Sequence, residues 1–204
     1  MLVEYKKTID KEEIKLYPPF VFSGEVIVVD DPQQVNQAVN DLSKHGCVGF
    51  DTETKPSFRK GEVNQVSLLQ LAIEERVYLF RLKLCGFQPS LRKLLSDPDV
   101  IKIGVGIRDD IRFLRRLGDF APASFVDLQN YATEFGIEEK SFSKLMAIIF
   151  NVKISKRQRT SNWEAPQFSE GQVRYAATDA WGALKMYQRL SEVAGNIGCR
   201  GTVK

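Results

Sequence analysis

The sequence predicts an α/β domain: a mixed sheet flanked by helices. Strand-like segments come first and then alternate with helical ones, the order expected of a sheet with mixed pairing covered by helices. Val66–Ile73 (VSLLQLAI) is almost continuously apolar, as in a strand buried on both faces. The chain then closes on a long helical pattern, from residue 170 to about 194.

Taken in order, residues 1–24 read as an N-terminal arm, an irregular lead-in carrying Pro18-Pro19. Glu25–Asp30 (EVIVVD) has strand composition. Pro32 stands at a favourable first helical position, and Gly46 marks where that helix has ended. Strands are expected at Cys47–Thr54 (CVGFDTET), Val66–Ile73, Val77–Leu82, Val100–Val105 and Phe125–Asp127, and helices at 90–96, 107–117, 128–135 and 141–150. Ser169 followed by Gln172 forms a capping box that starts the last helix. The domain spans 25–194, and 195–204 reads as a tail. Asn151–Phe168 is the one long irregular segment; it is basic and contains Trp163, and loops of this length in compact domains carry function or move.

With 204 residues, the chain has room for one domain of ordinary size. No apolar run approaches the ~20 residues of a membrane span, and the charged N-terminus lacks a signal peptide's apolar core. The reading is therefore an intracellular, cytoplasmic protein (nuclear in a eukaryote) that engages no membrane. Three scattered cysteines, Cys47, Cys85 and Cys199, are expected to be reduced thiols. A single histidine, His45, and no Cys-x-x-Cys pair exclude a zinc site. The same lone histidine, without a Gly-x-Ser-x-Gly elbow, argues against a Ser-His-Asp hydrolase. Gly104-Val105-Gly106 follows a strand, but the third glycine of a dinucleotide fingerprint would fall at Asp109.

Four acids and a tyrosine stand out. Asp51 and Glu53 sit two apart on a strand and so share a face. Like charges there repel and resist desolvation, and a cation between them relieves both; the alternative is a strand end emerging into solvent. On the helix from Ile107, Asp110 falls on the apolar stripe with Phe113, Leu114 and Leu117, whereas Asp109 points elsewhere. A helix-start acid favoured by the macrodipole is the competing explanation. Tyr175 and Asp179 are stacked at i, i+4 among Ala176, Ala177, Ala180, Gly182 and Ala183. Small residues let that helix approach the sheet, although an ordinary amphipathic helix with a surface acid has the same pattern. Together the acids form an all-oxygen ligand set suited to Mg²⁺ or Mn²⁺. They fit a two-ion phosphodiester hydrolysis site, one ion activating water and the other stabilising the leaving oxygen. Tyr175, a weak base at neutral pH, would orient the attacking water.

Three motifs resemble the DEDD exonuclease superfamily, in its subclass with tyrosine: Phe50-Asp51-Thr52-Glu53-Thr54; Lys102 to Asp110 (KIGVGIRDD); and Tyr175-Ala176-Ala177-Thr178-Asp179-Ala180, preceded by Ser161-Asn162-Trp163. Val66–Ala72 resembles the family's second strand, and the likeness covers residues 25 to 194, nearest to Werner-syndrome-type exonuclease domains and then to ribonuclease D. The resemblance implies a ribonuclease-H-like fold and 3′→5′ exonuclease activity. It implies that Asp51, Glu53 and Asp179 hold the tighter ion, that Asp51 bridges to a second, that Asp110 acts through water and that Tyr175 orients the water.

The partner implied is a nucleic acid with a 3′ end, with DNA preferred. Ribonuclease D-like RNA trimming and a non-catalytic nucleic-acid-binding module are the alternatives. For substrate contacts, the backbone near Thr52 would hold the terminal nucleotide. Trp163 would either stack on a base or anchor its loop. Lys153, Lys156, Arg157 and Arg159 would follow the phosphates, the alternative being an ordinary solvated face. Arg108, Arg112 and Arg116, recurring every fourth residue, form a second basic stripe.

Overall fold

The computed structural model describes residues 4–57 and 64–195. In chain order the elements are α1 (Lys11–Leu16), β1 (Pro19–Phe20), β2 (Glu25–Val29), α2 (Pro32–Leu42), β3 (Cys47–Thr54), β4 (Val66–Ala72), β5 (Arg76–Arg81), α3 (Leu82–Cys85), α4 (Pro89–Leu95), β6 (Ile101–Gly104), α5 (Arg108–Leu117), β7 (Phe125–Asp127), α6 (Leu128–Tyr131), α7 (Phe142–Phe150), β8 (Lys153–Ile154) and α8 (Glu170–Val193). Six strands form one sheet in the order β2-β5-β4-β3-β6-β7, antiparallel at β3/β4 and β4/β5 and parallel elsewhere. The mixed pairing is the one expected from element order.

Period-two alternation sorts the strand side chains onto two faces. Val48 and Phe50 of β3 and Leu69 and Leu71 of β4 pack with Val35, Leu42, Leu91 and Leu114 from α2, α4 and α5. On the opposite face Leu68 and Ala72 meet Ala176, Ala177 and Ala180 of α8. Every residue of β4 is buried, which explains its largely apolar run. Two polar residues, Ser67 and Gln70, interrupt it.

Several details depart from the sequence reading. The lead-in is ordered where described: Asp10 caps α1, and β1 pairs in parallel with β8, inside the segment expected to be irregular. Helix α1 has no buried residue, so no hydrophobic period announces it, and two-residue strands lie below any detectable alternation. Leu82 opens a short helix instead of ending β5. The 128–135 helix is a single α turn followed by a 3-10 turn over Ala132–Phe135, ended by Gly136 at φ 76°. Cys85 is a buried free thiol as expected, but Cys47 is disulfide-bonded, against the expectation of reduced thiols; scattered spacing carries no information about pairing. Cys199 lies outside the described residues. No helix among the described residues is long and apolar enough to cross a membrane.

Candidate active site

Strand β3 begins fully buried and emerges at Asp51, so its last four residues are half-buried. Asp51 and Glu53 project toward α8, whose approach is set at Gly49. A Cβ there would lie 1.9 Å from the Ala180 carbonyl oxygen, so only glycine admits the helix backbone at this distance. Asp179, adjacent to Ala180 and 9% exposed, thereby reaches the strand acids. One carboxylate oxygen from each of Asp51, Glu53 and Asp179 lies within 4.8 Å of the others.

Such crowding holds protons. Burial, then the charges of Asp179, Asp110 and Glu53, raise the Asp51 carboxyl well above its ordinary range. Burial and the same neighbouring acids, Asp179 and Asp110, push Glu53 up to about 9. Asp179 is raised by burial to about 7, less than it would be without its hydrogen bond to the Tyr175 hydroxyl. Burial and the surrounding carboxylates drive Tyr175 upward as well, so its phenol stays protonated at neutral pH.

Asp110 comes from the first turn of α5, on the other face of the sheet. The Thr52 hydroxyl, which points opposite to its two acidic neighbours on β3, donates to Asp110 Oδ1. Burial raises Asp110 too. Asp109 is exposed and ion-paired with Arg112 at 3.1 Å, so of the two acids it is Asp110 that faces the sheet. Asp110 stands outside the group of three but contributes its charge to Asp51 and Glu53.

The basic loop divides. Lys156 and Arg159 line a cleft with Ser141, Ser143, Tyr175 and Asp179, and Arg159 partly offsets the charge-driven rise of Glu53. Arg157 borders a neighbouring apolar groove with Phe20, Ile154 and Arg174. Lys153 sits on β8 with its ammonium donating to the Lys15 carbonyl at 3.1 Å, so it ties down the lead-in and does not line that cleft. Trp163 is 1% exposed, packed on Phe168 and Tyr175 at ring distances of 5.6 and 6.1 Å. It presents no face for a base to stack on, which corrects that alternative in favour of a loop anchor. The carbonyls after it receive the Arg81 guanidinium, and Glu164 pairs with Lys83 at 2.7 Å. Ser141 and Ser143 were missed; the only sequence signal was Ser141 as the N-cap of α7.

Residues 26–194 match the family model described as 3'-5' exonuclease. The mouse bifunctional 3'-5' exonuclease/ATP-dependent helicase WRN is 32% identical over 206 residues, covering 96% of this chain and 14% of the relative. The human exonuclease mut-7 homolog is 30% identical over 180 residues, covering 73% of this chain and 20% of its own length. The chain thus spans a small part of these curated relatives. Among solved structures, the Aedes aegypti Nibbler EXO domain superposes with a TM-score of 0.77 at 24% identity, covering 88% of this chain and 94% of that one. Escherichia coli RNase D gives 0.76 at 20% identity, covering 84% and 45%. These structural likenesses establish the fold as ribonuclease-H-like.

Proposed function

Because the chain belongs to the 3'-5' exonuclease family, we propose that its acid cluster hydrolyses the terminal phosphodiester bond at a nucleic-acid 3′ end and releases nucleoside monophosphates. The observation that carries the proposal is the convergence of Asp51, Glu53 and Asp179 within 4.8 Å. Three like charges at that separation, in a half-buried cleft, are stable only with protons or cations. The donors are all carboxylate oxygens, which fit Mg²⁺ or Mn²⁺ and disfavour zinc. Asp51, Glu53 and Asp179 would hold the ions, with Asp110 contributing charge from behind Thr52. Two such ions would lower the pKa of the attacking water and offset charge developing on the phosphate.

The remaining roles follow from the side chains. Tyr175 keeps its proton at neutral pH, so it acts as a hydrogen-bond donor that orients water or phosphate and not as a base. Lys156 and Arg159 border the same cleft and supply the positive charge that a phosphate chain seeks. Thr52 spends its hydroxyl on Asp110, leaving its backbone for the terminal nucleotide.

DNA is the first substrate to test, on the strength of the WRN relative. RNA is the second reading, supported by a ribonuclease D 28% identical over 168 residues. A Trypanosoma brucei RNase D solved with RNA U12 shares the fold at a TM-score of 0.70. The test uses 5′-labelled DNA and RNA oligonucleotides of one sequence with Mg²⁺ or Mn²⁺. Ladders shortening from the 3′ end, lost in Asp51→Asn with folding intact, are expected. Full activity in that variant refutes the assignment, and binding without cleavage by the wild type favours a non-catalytic module.

A further inference from the structure

Gln70 is wholly buried at the centre of β4, and neither its Nε2 nor its Oε1 has a hydrogen-bond partner among the described residues. A primary amide removed from water with both ends unmatched is strongly disfavoured, and native cores rarely keep one without a purpose. Its position identifies that purpose. Gln70 lies directly opposite Asp51 across the antiparallel β3/β4 pair, and opposite Leu79 on β5. Directly opposed residues share a face, with Cβ atoms about 4.5–5.5 Å apart. The face is the one covered by α8, since Leu68, Ala72 and Leu79 pack there against its alanines. So of its two cross-strand neighbours, one is a leucine and the other is a carboxylate of the acid cluster.

We propose that Gln70 is a positioning residue for Asp51. Its carboxamide N–H donates to the Asp51 carboxylate and fixes the direction in which that carboxylate meets Glu53 and Asp179. The glutamine carries its amide one carbon further from the backbone than the aspartate carries its carboxylate, and the two side chains start from directly opposed positions on one face. The carboxamide oxygen then remains for a donor on the same face. The indole N–H of Trp163, also buried and unpartnered, belongs to that α8-side cluster and supplies one. The resulting chain, Trp163 to Gln70 to Asp51, links the anchor of the basic loop to the orientation of a carboxylate. Amide and carboxylate partners of this kind orient metal ligands and set metal affinity.

This inference rests on the reading of the acid cluster as a divalent-ion site, and its test separates the two. Mn²⁺ binding is titrated by the paramagnetic resonance signal of the free ion, on wild type, Gln70→Met and Gln70→Leu. Methionine preserves length and volume without a donor, and leucine guards against a methionine that fails to fold. Mn²⁺ affinity is expected to fall about tenfold or more. Oligonucleotide affinity in EDTA should not change. A residue that only fills space gives a different result: a folded Gln70→Met protein with Mn²⁺ affinity intact. That result, in either folded variant, overturns the role of Gln70 alone. Wild type that takes up no Mn²⁺ overturns the ion site and this inference with it.

Discussion

Gly49→Ala is the most incisive perturbation of the site, because it touches no carboxylate. The added Cβ would stand 1.9 Å from the Ala180 carbonyl oxygen and 2.8 Å from its carbon, both backbone atoms that cannot rotate away. Ordinary contact begins near 3.4 Å, so α8 must retreat from β3 by about 1.5 Å, or β3 must deform by a similar amount. Overpacking of this kind destabilises by about 1–3 kcal/mol, a fall of about 2–4 °C in melting temperature per kcal/mol for a chain of this size. The effect on chemistry is larger. Asp179 is bonded to Ala180 and moves with it, and a misplacement of about 1 Å at a reacting constellation costs about 10²-fold in rate. Single-turnover hydrolysis of a 5′-labelled oligonucleotide, at a temperature where circular dichroism shows the variant folded, reads the two effects separately. Wild-type turnover in a folded Gly49→Ala protein would refute the claim that this helix–strand distance assembles the site.

Three further outcomes follow from the same geometry. The acid cluster has raised proton affinity, with Glu53 at about 9 and Asp179 at about 7, so its stabilising protonation is complete below the ordinary carboxylate range and is lost as pH rises through those values. Metal-free protein should therefore lose melting temperature from pH 5.5 to pH 9 through these groups, while the rise on adding Mg²⁺ or Mn²⁺ grows over the same window; a metal-induced rise equal at both ends contradicts the assignment. Tyr175→Phe should lower kcat about 10²-fold by removing one oriented donor and leave KM nearly unchanged. Since the phenol stays protonated, the wild-type alkaline limb should show no step attributable to it, and a step that disappears in the variant would make Tyr175 a base after all. Lys156→Ala with Arg159→Ala should weaken single-strand binding and flatten its dependence on log salt by about 1.4, at about 0.7 per phosphate contact. An unchanged salt slope removes these residues from the phosphate path.

Much of this site was legible in the chain. The two-residue spacing of Asp51 and Glu53 placed both on one face. The apolar stripe of α5 separated Asp110 from Asp109. The four-residue spacing of Tyr175 and Asp179, after the Ser169–Gln172 capping box, placed them together on α8. Each is a local periodicity, and local periodicity states which way a side chain points. Other features were not legible. Trp163 was equally compatible with stacking on a base and with anchoring a loop until its burial against Phe168 and Tyr175 was known. Lys153 looked like the other basic residues of its loop, but β8 pairing turns it toward Lys15. Nothing in the pattern singled out Gln70, which shares its largely apolar strand with a second polar residue, Ser67.

Sequence by itself determined the mixed α/β class and the faces of the strands and helices on which the candidate acids lie. Tertiary structure alone decided how near those acids come, which loop cations share their cleft, and which polar groups are sealed in with them. Periods of two and 3.6 residues are set by the backbone of each element and survive in the linear pattern. The separation between elements is set by side chains that meet across many residues of chain, as Gly49 meets Ala180, and no local pattern encodes that distance.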